Sequence, residues 1–329
     1  MPEVLTLDAV TQIGVESTPG TGVAANKKFQ GLSIVPSIKG ERQLFRPNGY
    51  KFATVAAPIK EWASAKITGY PTYEEIVYLL SSIMDYAAPV QQGGTIAYKW
   101  SHNIAISAAS TTKAFTVEHG GATRAWKFEY GTVTDMELNF SRSGVDLSGT
   151  MIGEALQDGI TMTGGPTVLA ATPILPTQVD VKVADTQAGI AGASALTRVV
   201  SAGFSIAGRH KPWFPLATAG VPGPTLMNEA APTVKVKLKL EADATGMGLL
   251  TQMRAGSSKF IQIKAVGALI ATSYYYTLDC TFCGKVIEDP TEFSDEDGIY
   301  AIEWTFDVAY DSTWTKAMLI EVTNTITAL

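Results

Sequence analysis

"GTVTDMELNFSRSG", residues 131–144, alternates apolar and polar side chains up to a closing Ser/Gly turn, the period-2 pattern of a half-buried β-hairpin. The chain returns to it 153 residues later in "GKVIEDPTEFSDEDG", residues 284–298. Gly131, Val133, Phe140 and Ser141 recur there as Gly284, Val286, Phe293 and Ser294 at unchanged spacing. One hairpin met twice points to a repeated unit, and the flanking sequence extends the repeat.

Upstream, "GLSI" (31–34) is answered by "GFSI" (203–206) at an offset of 172, each after a turn-rich segment of small residues. A strand follows in both halves. "WASAKITG" (62–69) alternates weakly, while "VKVKLKLEA" (234–242) puts Val234, Val236, Leu238 and Leu240 on one face and lysines on the other. That lysine face reads as solvated or turned to a partner, not as a nucleic-acid patch. Helices come next, at an offset of 173. "PTYEEIVYLLSSIM" (71–84) opens on a Thr72–Glu75 capping box and carries Ile76, Leu79, Leu80 and Ile83 as an apolar stripe. "TGMGLLTQMRAG" (245–256) repeats the stripe with Leu249, Leu250 and Met253, and Arg254 and Gly256 mark its end. Its internal glycines make it the weaker helix.

The offset then falls from 173 to 153, which leaves about 20 extra residues in the first half. "DYAAPVQQGGTIAYKWSHNIAISAAS" (85–110) contains them and reads as an added hairpin. Each half is thus strand, long loop, strand, helix, then several antiparallel strands. The expected division is a first domain at 1–163, a Gly/Pro-containing linker at 164–177, and a second domain at 178–329 that ends in an extension beyond Ala309.

With 46% hydrophobic and only 17% charged residues, the chain can bury a core and leaves surface to be covered by something other than water. A net charge of −6 argues against a surface built to grip phosphates. Cys280 and Cys283 in "CTFC" have no second pair or nearby histidine to complete a zinc site. Their strand-like flanks put them on opposite faces, so buried free thiols are expected. The N-terminal "MPEVLTLDAVTQ" lacks a basic region followed by an apolar stretch, and the most apolar segment, 160–176, is broken by Gly and Pro. Neither a signal peptide nor a membrane span is expected. His102, His119 and His210 have no triad context, and Walker, HExxH and GxSxG patterns are missing. The expectation is no enzyme, with no catalytic, cofactor or metal site.

Two connections, 36–61 and 207–232, read as long and poor in regular structure, a length compact domains keep for a purpose. Phe45, Tyr50, Phe52, Trp213 and Phe214 lie on them and would be costly at solvated loop tips. Both loops are therefore candidates for contact with a neighbouring subunit, either alongside or in the next layer of an assembly; the alternative is that the aromatics fold back over their own barrel.

The N-terminal "GVESTPGTGVAANKKF" (14–29) leading into "GLSI", the helix after the second major strand, and the ending "FEYGTVTDMELNFSRSGVDLSGTMIG" (128–153) together resemble the tail tube proteins of long-tailed bacteriophages. The resemblance covers residues 10–156 directly and the second half through its match to the first. It implies a mainly β fold, a β-sandwich or barrel with one flanking α-helix per domain, here as two tandem tail-tube-like domains. In that family six domains close a ring, and stacked rings form a hollow conduit that delivers the genome. Two domains per chain then imply a homotrimer as a pseudo-hexameric ring. The partners implied are further copies of the chain, the tape measure, terminator and distal tail proteins, and double-stranded DNA that passes through the lumen without specific binding. The acidic balance suits such a lumen, with "TDMELNFS" (134–141) and "IEDPTEFSDEDG" (287–298) as candidate lining. The location implied is the virion tail, after synthesis in the host bacterial cytoplasm. The alternative is another β-rich tail component, a distal tail or receptor-binding module.

Overall fold

A computed structural model describes residues 8–216, 223–290 and 292–329. Its longer elements in the first half are β1 (Val10–Val15), β2 (Leu32–Phe45), β3 (Val55–Gly69), α1 (Ile76–Ile83), β4 (Tyr98–His102), β5 (Phe115–Gly120), β6 (Ala125–Ser141) and β7 (Gly144–Gly153). The second half follows with β8 (Val179–Ala184), β9 (Val199–Ala207), β10 (Thr233–Glu241), α2 (Ala244–Ala255), β11 (Lys259–Ala271), β12 (Tyr274–Val286), β13 (Ile299–Val308) and β14 (Met318–Asn324). Strands hold 52% of the chain and helices 9%, so the class is mainly β, as expected.

Five antiparallel pairings organise the first half: β1 with β5, β2 with β3, β3 with β7, β5 with β6, and β6 with β7. The second half pairs β8 with β11, β9 with β10, β10 with β13, β11 with β12, and β12 with β13. The order is the same. In both, one long strand gains a new partner along its length. β6 pairs with β5 up to Gly131 and with β7 from Thr132; β12 pairs with β11 along its length and meets β13 from Gly284. A Cβ on Gly131 would lie 2.7 Å from the Phe115 carbonyl oxygen, and one on Gly284 would lie 2.8 Å from the Phe306 Cβ. The repeated glycine thus stands where neighbouring atoms leave no room for a side chain, backbone at Gly131 and the Phe306 side chain at Gly284.

The repeat holds less well residue by residue. The turn after β6 is Arg142–Ser143, between paired Ser141 and Gly144. After β12 the chain leaves the ladder, passes Pro290, and returns as Ser294–Glu296, with Glu296 paired to Ile299 across Asp297–Gly298. The turns are therefore two residues further apart than the glycines, and Phe293 is 56% exposed where Phe140 is buried. Ladder register corrects the "GLSI" match too. From Val133 the ladders lead through Met151 and Ala65 to Pro36; from Val286 they lead through Phe306 and Val236 to Phe204. Phe204 therefore occupies the place of Pro36, not of Leu32.

The connection 36–61 is also corrected: it is a regular two-stranded arm, β2 and β3 paired from Leu32–Gly69 out to Phe45–Val55. Water on both faces of the arm removes the need for alternation, so its strands carry no period-2 signal. The connection 207–232 holds a short ladder, His210–Trp213 with Leu226–Glu229, and residues 217–222 lie outside the described residues. The expected added hairpin is present as Val90–Gln91 paired with β4. Within 164–177, Thr167–Val168 pairs in parallel with Lys27–Lys28, and Leu169 and Ile174 are buried, so this segment packs against the first half.

The two additions to the repeat meet each other. β4, from the insertion, pairs with β14, from the C-terminal extension, and β14 pairs with β12. Asn324 pins the crossing: its Oδ1 accepts from Trp100 Nε1 at 3.1 Å and its Nδ2 donates to the Tyr73 carbonyl at 2.7 Å. This strap helps enclose α1, every residue of which is buried. Thr72 Oγ1 accepts the Glu75 N–H at 3.1 Å, one half of the expected capping box. The Glu75 carboxylate instead leaves the helix and accepts the backbone N–H groups of Gln30, Gly31 and Leu32. In α2 only Gly246 and Leu249 are buried, with Asp243 as the N-cap and Gly256, in the left-handed region, at the end.

Candidate assembly interface

The halves join edge to edge. β6 has β7 on one side and, from Met136 to Ser141, β9 on the other, in register Met136–Ile206 to Ser141–Ser201. A Cβ on Gly203 would lie 2.8 Å from the Leu138 carbonyl oxygen, so glycine lets the two edges close. Beyond the ladder Gly208 N–H donates to Asp135 Oδ1 at 2.8 Å, and Arg209 N–H to the Thr134 carbonyl at 3.1 Å.

Arg209 then crosses into the first half and is 1% exposed. Its Nε donates to the Ile83 carbonyl at 3.2 Å, capping the end of α1, and its Nη1 donates to the Ala230 carbonyl at 3.1 Å. Nη2 reaches Ser110 Oγ and Glu229, each at 2.5 Å. His210, expected in a basic loop, is buried, with its Nδ1 2.9 Å from the Val133 carbonyl; burial holds its pKa below the ordinary value. Nothing in the local sequence distinguishes "GRHK" from a solvated basic turn, and only its tertiary partners set it apart.

Two corresponding edges at the outer flanks carry no second strand. Among the described residues β2 pairs only with β3, and Ser294–Glu296 only with β13. The β2 flank is blunted near its start. Leu32 N–H is taken by Glu75 and Ile34 N–H by Thr11 Oγ1 at 3.1 Å, and Pro36, next in the alternation, has no N–H. Proline and side-chain capping of this kind keep an edge from pairing indiscriminately. Ile38, 54% exposed, is the next residue in that row.

The five aromatic candidates separate. Phe45, Tyr50 and Phe52 stand exposed on the arm, Phe52 at 82%. Phe214 folds back instead: its ring lies edge-on to Trp62 at 5.5 Å, with Lys60 Nζ 5.2 Å from its centroid. Trp213 is exposed beside it. The structure thus brings the second loop onto the base of the first arm and leaves the arm's far end open.

Across the joined sheets one face is polar. Cross-strand neighbours run Thr68, Ser148, Glu137, Ser205, Lys235 and Asp307 in a single row. Lys235 pairs with Glu288 and Lys239 with Glu296. The face therefore carries interspersed charges of both signs.

Cys280 and Cys283 are free and buried. Among the described residues no group of three His, Cys, Asp or Glu side chains could hold a metal ion, and no helix is long and apolar enough to cross a membrane. No protein-family model matches the chain, and no curated protein matches its sequence.

Proposed function

We propose that the chain is a structural subunit of a bacteriophage tail tube, and that it is a duplication in which each half fills one of six places in a ring of three chains. The observation that carries this reading is the β6–β9 junction. One strand from each half closes it, and the corresponding strands at the outer flanks lack that partner. A second copy supplies the missing edge at each flank, and the repetition closes on itself when the rotation between halves is a sixth of a turn. The identical pairing order of the two halves and the resemblance of the N-terminal and hairpin sequences support the same reading. A polar face of mixed charge suits a lumen through which DNA slides, since no run of cations is left to hold phosphates.

Light scattering and negative-stain microscopy of the purified chain test this. The expected result is a closed ring with the mass of three chains. Ile38→Pro removes the next N–H in the outward row of β2 while sparing the β3 ladder, and it should leave folded chains that do not close. A wild-type chain that remains monomeric at every concentration, or a discrete non-annular oligomer that binds a host surface component, overturns the reading.

A further inference from the structure

The strands β2 and β3 are joined through "RPNGY", residues 46–50. The Pro47 carbonyl accepts the Tyr50 N–H at 3.2 Å, so Asn48 and Gly49 are the two central residues of a turn. Gly49 has a φ of 82°, the left-handed conformation that favours glycine at this turn position. Every residue of the turn is exposed, and a Cβ on Gly49 would meet nothing within 4 Å. Among the described residues no hydrogen bond engages the Asn48 side-chain amide or the Gly49 N–H.

An asparagine amide is an electrophile for the backbone nitrogen that follows it. Attack closes a five-membered ring where that nitrogen is accessible and no bulky side chain crowds it. The other asparagines, Asn26, Asn103, Asn139, Asn228 and Asn324, precede Lys27, Ile104, Phe140, Glu229 and Thr325. Asn48 alone precedes glycine. Two Asp–Gly pairs could close the same ring, but both carboxylates are engaged. Asp158 accepts from Arg124 Nε at 3.0 Å and from Trp126 Nε1 at 2.7 Å, and Asp297 accepts from Arg142 Nη1 at 2.8 Å. A carboxylate held this way by a cation is a poor electrophile. The nitrogen that would attack Asp297 is engaged as well, since Gly298 N–H donates to Asp295 Oδ1 at 2.7 Å.

We infer that Asn48 is a site of self-modification in the folded chain, converting to aspartate and isoaspartate through a succinimide. The Gly49 nitrogen gives its proton to hydroxide and bonds to Asn48 Cγ; the Cγ–Nδ2 bond then breaks, and ammonia leaves with a proton taken from water. Water opens the ring. Addition at Cγ gives aspartate, and addition at the main-chain carbonyl gives isoaspartate, whose backbone runs through Cγ and is longer by a methylene. Water is consumed, ammonia is released, and nothing is oxidised or reduced. Each event sets a negative charge between Arg46 and Lys51, both exposed. The conversion needs one chain only and proceeds whether or not rings form.

Peptide mapping of the full chain by mass spectrometry, after incubation in mildly alkaline buffer with and without urea, tests this; isoaspartyl methyltransferase labels the rearranged backbone. In the folded chain the peptide holding Asn48 should gain the mass difference between amide and acid at a rate close to that in urea, and faster as pH rises. The label should appear on the same peptide. Asp158 and Asp297 should take up label in urea and not in the folded chain. Asn48→Gln, whose longer side chain would have to close a six-membered ring, should lose both the mass gain and the label from that peptide at an unchanged melting temperature. Asn48 staying intact in the folded chain, whatever its fate in urea, overturns the inference. So does folded-chain label confined to Asp158 or Asp297, or label that persists on the turn peptide of Asn48→Gln.

Discussion

Helices α1 and α2 follow corresponding strands in the same pairing order, yet one is fully enclosed and the other half bare. The difference lies in what surrounds them. The insertion, the segment 169–174, the β14 strap and Arg209 from the second half all close over α1. α2 rests on its own half, with Trp304 Nε1 donating to the Gly246 carbonyl at 2.9 Å and Leu249 turned inward. Met247, Leu250 and Met253 remain half-buried. The helix of the first half is thus covered by the rest of the chain, and among the described residues that of the second half is not. Stability should follow that asymmetry.

The largest contrast is expected at the helix ends. Arg209→Met removes a buried guanidinium and leaves the Ile83 and Ala230 carbonyls without their donor, while the exposed Glu229 keeps the Ser110 N–H. Each buried acceptor left unsatisfied costs about 1–3 kcal/mol. Arg254→Met, in the exposed last turn of α2, should stay within about 0.5 kcal/mol. Urea unfolding of the two variants measures both. Equal shifts would mean that the enclosure of α1 adds nothing to its stability.

Acid should loosen the strap that distinguishes the halves. His102 on β4 is fully buried, its Nδ1 lies 3.3 Å from the Asp85 carbonyl, and its Nε2 has no partner. Burial lowers its pKa from the ordinary 6.5 to about 4. The unfolded chain therefore binds the proton more readily between those values. The stabilisation is complete above pH 6.5 and is lost as pH falls toward 4, by about 3 kcal/mol in full. Glu16, Glu74 and Glu75 oppose this, since burial raises each of them and their cost in the folded state falls as they are protonated. A wild-type curve alone mixes the two signs. The stability difference between wild type and His102→Asn should shrink by about 2–3 kcal/mol from pH 7 to pH 4.5, and a constant difference would remove His102 from the account.

What the sequence made legible follows from where water lies. Strands with one wet and one dry face, such as β6 and β10, declare themselves by alternation, and α1 by its apolar stripe. The arm has water on both faces, so its prolines and glycines read as a loop. Glu75 reads as a cap because its carboxylate stands three residues after Thr72; the donors it actually accepts from, the N–H groups of Gln30 to Leu32, are tertiary. Phe293 repeats Phe140 in spacing only, because Pro290 breaks the ladder between Gly284 and the turn. Arg209 was invisible for the opposite reason: its partners come from four separate segments, and no local pattern records them.

A smaller loss, confined to α2, is expected at its N-terminus. Asp243 accepts the N–H groups of Thr245 and Gly246, each at 2.9 Å, and so satisfies two donors that the helix itself leaves open. The helix has two internal glycines and little buried surface, so local capping supplies a larger share of its stability than it does for α1. Asp243→Ala should cost about 1 kcal/mol. Hydrogen exchange should show that loss within α2 first, while amides of β12 and β13 keep their protection. If the chain assembles as proposed, a neighbour should cover α2, and the same substitution should then matter less to exchange there. If the variant's α2 amides exchange equally fast in free and assembled chains, no neighbour rests on that helix, and the two halves differ for a reason other than ring closure.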